Sequence, residues 1–135
     1  MSEANLRVAR KGLDAWNRGD IEAMIELRTP DSAFVPAVAA GVEGGSVTGP
    51  EEFRQFFAAL DETWETFQID WEELREVGDR VLIAGRVHAK GRGSGIELDQ
   101  PMFSVIWFRD DKIARMQSFL DEEAALEAAE HDVVA

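Results

Sequence analysis

Apolar residues recur at helical spacing from the start of the chain, at Leu6, Ala9, Leu13 and Trp16, and this stripe predicts an amphipathic helix. Ser2 can cap its start, and Gly19 after Asn17-Arg18 offers the left-handed residue that stops it. Asp20 can then cap a short second helix carrying Ile21, Met24 and Ile25. That helix must end before Pro30, because the residue preceding a proline disfavours helix. Asp31-Ser32 reads as a turn and Ala33-Phe34-Val35 as a short strand. From 36 to 48 the chain is rich in Ala, Val and Gly, which predicts a mobile loop.

Gly49-Pro50-Glu51-Glu52 places a proline at the first helical position and acids in the first turn, followed by Phe53, Phe56, Phe57 and Leu60 on one face. A third helix follows from that pattern. The period then changes from helical to alternating. Residues 66–77, with Phe67, Ile69 and Trp71, lead through a Gly78-Asp79 turn into 80–90, rich in Val and Ile, which predicts a hairpin. Gly91-Arg92-Gly93-Ser94-Gly95 turns the chain into 96–109, and Asp110-Asp111 turns it again into 112–120. Asp121 can cap a last short helix through Leu126 and Ala128, with a frayed tail beyond it. Helices first and a long antiparallel sheet afterwards indicate a single α+β domain over 1–135, ordered from about 3 to 129, with the sheet curved around the N-terminal helices. The open end of such a cone is a natural apolar pocket.

Composition narrows the function. At 135 residues and 45% hydrophobic content, the chain suits one domain with a real core. A formal charge of -13 with 14 dispersed basic residues repels phosphate backbones, so no nucleic-acid partner is expected. No stretch approaches a membrane span, and the first residues lack the pattern of a secretory signal, so a cytoplasmic protein without a membrane partner is expected. The absence of cysteine excludes a disulfide framework, a thiolate nucleophile and a Cys-based zinc site.

Three segments carry a resemblance: Trp16-Asn17-Arg18-Gly19-Asp20-Ile21-Glu22-Ala23, then Gly49-Pro50-Glu51-Glu52-Phe53, then Asp110-Asp111-Lys112-Ile113 followed by Phe119 and Asp121. In their order and spacing the chain resembles the nuclear transport factor two-like superfamily, and within it the SnoaL-like and ketosteroid-isomerase-like proteins, over nearly its whole length. The resemblance implies a cone-shaped sheet wrapped on helices. It licenses no single activity, because the superfamily includes isomerases, cyclases, dehydratases, epoxide hydrolases and non-catalytic domains. Carried across these anchors, the isomerase's oxyanion-hole tyrosine falls on Gly12, its general-base aspartate on Pro36 and its protonated aspartate on or near Ser104. The chain has no tyrosine at all. Steroid isomerisation by a carboxylate base and a strong donor pair is therefore excluded.

Other candidates for chemistry are His88, Asp99 and Asp121. His88 shares a strand face with Arg86 opposite a continuously apolar or small face, which directs both toward solvent or a subunit interface. Asp99 could act as a base if burial raised its pKa, and otherwise is a hairpin-edge carboxylate. Asp121 stands where SnoaL-like cyclases often carry an acid, and it also suits the helix-cap role. His131 lies in the tail, and neither His-x-His nor His-Glu-x-x-His spacing occurs, so no metal or other cofactor is expected. The strand register implied by the resemblance puts Met102, Ser104 and Ile106 on one face, with Met116 and Ser118, looking toward Trp16, Phe34, Phe53 and Phe57. These nine are the expected ligand-binding residues, for a small apolar organic molecule. Modest acid-base catalysis could accompany binding. The competing reading is a non-catalytic accessory domain, a homodimer through an outer sheet face bearing Phe103, Val105, Trp107 and Arg86.

Overall fold

The computed structural model describes residues 2–36 and 46–130. Helix α1 (Ser2–Arg18) buries Ala9, Leu13 and Ala15 and ends at Gly19, whose φ of 69° is the left-handed stop that the sequence implies. Ser2 belongs to the helix itself. The Asp20 side chain accepts the Ala23 N–H at 3.1 Å and so starts α2 (Ile21–Glu26).

Strand β1 (Arg28–Val35) follows after one residue and corrects the turn expected at Asp31-Ser32. Those residues lie inside the strand, where its register against the neighbouring strand slips between Arg28 and Ala33. A bulge accepts Pro30 where a regular ladder would lose a donor, so the turn-forming residues serve an irregularity and not a reversal. Asp31 is held there by Thr29 Oγ1 at 2.9 Å and Arg109 Nη2 at 2.5 Å. Most of the expected loop at 36–48 lies outside the described residues, but its end forms β2 (Val47–Thr48), paired antiparallel with β1.

Helix α3 (Gly49–Thr63) buries Phe53, Phe56 and Leu60. Strands β3 (Trp64–Val77), β4 (Arg80–Gly91), β5 (Glu97–Arg109) and β6 (Lys112–Phe119) then run as an antiparallel meander. The sheet order is β2-β1-β6-β5-β4-β3, leaving β3 on an open edge among the described residues. β1 pairs with β6 in parallel, so the sheet is mixed and not wholly antiparallel. β3 shifts register against β4 between Trp71 and Glu73. Beside this shift Gly85 lies so close to the neighbouring strand that a Cβ there would meet the Asp70 carbonyl oxygen at 2.6 Å. Bulge and glycine together curve the hairpin around the helices.

The concave face closes over α1 and α3 through Val81, Ile83, Ile106 and Met116. Behind the sheet lies α4 (Glu122–Glu130), started by Asp121 Oδ2 accepting the Ala124 N–H at 3.0 Å. Its buried Ala125 and Ala129 rest on Leu82 and Val105. The sheet is thus covered on both faces over part of its length. No helix among the described residues is long and apolar enough to cross a membrane.

Candidate functional site

The nine residues expected to bind a ligand do meet inside the cone, but they fill it. Trp16, Phe34, Phe53 and Phe57, joined by Phe56, form an edge-to-face cluster with ring centroids 4.9 to 6.2 Å apart. That geometry suits the aromatic quadrupoles and leaves little room between rings. Ile106 pairs with Met116 and Ser104 with Ser118 across β5 and β6. The two serine hydroxyls bond to each other at 2.8 Å, each the other's buried polar partner. Small voids among the described residues include one of about 20 Å³ beside Gly12, Trp16 and Ile106 and one of about 10 Å³ beneath Pro36, Met102 and Ser118. Each is on the order of a single water. Gly12, Pro36 and Ser104, where isomerase catalytic groups would stand, thus border close-packed interior.

His88 and Asp99 are on the opposite side of the sheet. His88 Nε2 lies 3.0 Å from Asp70 Oδ2 and Nδ1 lies 3.5 Å from Asp99 Oδ1, while Arg86 Nε donates to that same Asp99 oxygen at 2.5 Å. Cross-strand pairing of His88 with Gln68 and Asp99 puts this row on the exposed outer face. Asp121 caps α4. The three acid-base candidates therefore share no cavity among the described residues, and two of them lie in a surface row with Arg86 and Asp70.

The larger spaces lie nearer the surface. One is a groove of about 420 Å³ between the end of α1, α3 and the start of β3, walled by Trp16, Phe57, Trp64 and Phe67 with Ile21 and Leu60. Trp16, Leu60 and Phe67 also line the small void beneath Pro36, so these three side chains separate groove from interior. Arg54, Asp61 and Glu65 form its polar rim. Arg54 is held bidentate by Glu22, at 2.8 and 3.0 Å, and the contact keeps the Glu22 carboxyl below its usual pKa while raising that of Arg54. Trp64 escaped the sequence reading because it ends α3 and begins β3, where neither period is established. A second cavity, of about 220 Å³, lies beside β1 and the start of α3.

The family follows from the whole-chain comparison. Residues 9–116 match the model of the SnoaL-like domain. The chain belongs to that family. The matched span of this SnoaL-like domain takes in the segments 16–23, 49–53 and 110–113 and stops short of Phe119 and Asp121. Its fold is similar to that of an NTF2-like protein of unknown function from Burkholderia pseudomallei K96243, at 17% identity and TM-score 0.78, covering 95% of this chain and 98% of that one. TerC, co-crystallised with polyporic acid, is similar at 23% identity and TM-score 0.77, covering 95% and 99%. A candidate SnoaL-like polyketide cyclase from Jannaschia sp. CCS1 is similar at 21% identity and TM-score 0.74, covering 98% and 95%. No curated protein matches this chain in sequence.

Proposed function

We propose that this SnoaL-like domain binds a small, mainly apolar aromatic molecule in the groove between α3 and β3. The observation that carries the reading is the groove's wall: four aromatic side chains bordering about 420 Å³, with charged residues confined to its rim. Concave, apolar and edged by a few polar groups is the usual form of a small-molecule site. The wall is also continuous with the interior ring cluster, since Trp16 and Phe57 touch edge to face at 4.9 Å and belong to both. A flat ligand can extend that stacking outward. Acid-base chemistry on a ligand held there would fall to Asp61 or Glu65, because His88, Asp99 and Asp121 lie elsewhere.

The test is thermal unfolding with polyporic acid, the compound crystallised with TerC, followed by other polycyclic phenols and quinones. A compound present at 100 times its dissociation constant adds roughly 2.7 kcal/mol to stability. Ala58→Trp should abolish the shift, because Ala58 is an exposed residue of α3 lining the groove and the larger side chain fills it without entering the core. A shift that survives Ala58→Trp would place the ligand elsewhere.

A further inference from the structure

Arg28, at the first position of β1, has no carboxylate partner among the described residues. Its Nη1 donates to Ser32 Oγ at 3.3 Å and its Nη2 to Met116 Sδ at 3.6 Å, two weak contacts, while Nε is shut away from solvent with no acceptor. The guanidinium lies 4.4 Å from the centre of the Phe53 ring. Stacking offsets part of the loss of water but leaves the charge uncompensated. Burial accordingly pulls the Arg28 pKa down to about 10. In a chain with 27 acidic residues against 14 basic ones, a sheltered arginine without an acid answers no need of folding.

Arg28 borders the cavity of about 220 Å³ beside β1. Ser32, which accepts from Nη1, also lines this space. Lys112 supplies a second cation, Phe53 and Val47 apolar walls, and none of the lining residues among those described is acidic. Although α3 begins here, Glu51 and Glu52 occupy its first turn, so the attraction for an anion comes from the two basic side chains.

We propose that this cavity binds a small monocarboxylate with an apolar, benzoate-like body, its carboxylate on Arg28 and its ring against Phe53 and Val47. A planar guanidinium matches the two oxygens of a carboxylate, and the Phe53 and Val47 walls suit an apolar ring. This site and the α3–β3 groove share no lining residue, so each stands or falls separately.

The experiment is an NMR titration of the isotope-labelled protein with sodium benzoate, benzyl alcohol and inorganic phosphate. Benzoate should shift the amides of Thr29, Val47 and Gly49 in a saturable way, and the uncharged alcohol should bind about tenfold more weakly or less. Arg28→Met should abolish the benzoate shifts, and Lys112→Gln, a change at an exposed residue, should weaken them several-fold. Equal binding of the alcohol, equal binding of phosphate, no benzoate shift along this wall, or full binding by Arg28→Met would each overturn the proposal. Should Arg28→Met fail to fold, Lys112→Gln decides, and an unchanged benzoate affinity in that variant overturns it.

Discussion

At the scale of single residues, the buried Ser104–Ser118 pair is the sharpest probe of the interior. Ser104 has no exposed surface and Ser118 only 8%, so removing one hydroxyl strands the other without water. Ser104→Ala should cost about 1 to 3 kcal/mol in urea unfolding, whereas Ser104→Ala with Ser118→Ala should recover most of it. Ser104→Trp tests the filling of the cone itself and should cost roughly 1 to 3 kcal/mol or more, since voids of about 10 and 20 Å³ cannot take an indole. Arg28→Met keeps an unbranched stem and removes an unpartnered charge, so stability should rise by on the order of 1 kcal/mol. Asp31 gives a pH signature. Its hydrogen bond from Arg109, with a smaller one from Thr29, holds its pKa below the ordinary 3.8. A depressed carboxylate contributes stability above its unfolded value and loses it as pH falls through its folded value. Stability should therefore decline below about pH 3.8, and Asp31→Asn should flatten that decline in unfolding curves taken across the acid range.

At the scale of elements, what was legible in the sequence is what depends on neighbours along the chain. Asp20, Gly19, Pro50 and Asp121 set helix ends by local hydrogen bonding and backbone preference, and each helix begins or ends beside them. The parallel seam of β1 with β6 was not legible, because Phe34 meets Met116 only after the whole meander has folded back. Asp31-Ser32 misled for a related reason, since turn chemistry and bulge chemistry use the same residues. The site was half legible. The register implied by the family resemblance placed Trp16, Phe34, Met102 and Ser118 together, yet whether side chains that converge leave a cavity depends on their packing, which no spacing encodes. Two predictions belong at this scale. Asp121→Ala should cost about 1 kcal/mol by stranding the first turn of α4. Asp110 and Asp111 both have positive φ, 55° and 62°, in the two-residue loop joining β5 to β6. Asp111→Gly relieves that conformation and should add about 1 kcal/mol, read by chemical unfolding.

At the scale of the molecule, covering both faces of the sheet changes what each face can do. The concave side is occupied by its own aromatic rings, so the two proposed binding sites are the groove and the cavity beside β1. On the convex side α4 lies over Val105, and the outer row beyond it is Arg86, His88, Asp70 and Asp99. A formal charge of -13 spread over so small a domain also repels itself. Raising the salt from low to near-physiological ionic strength, where screening acts beyond about 8 Å, should raise the melting temperature. The open edge at β3 gives that charge a further use. A fourteen-residue edge strand, with one side unpaired among the described residues, is a template for the strand of another molecule, yet this one carries Glu65, Asp70, Glu72, Glu73 and Glu76. Two such edges brought together would set carboxylate against carboxylate along their length, so the strand guards itself against fibrillar stacking at neutral pH. Acidification disarms the guard, and concentrated protein held near its isoelectric point of about 4.5 should be the first to cloud.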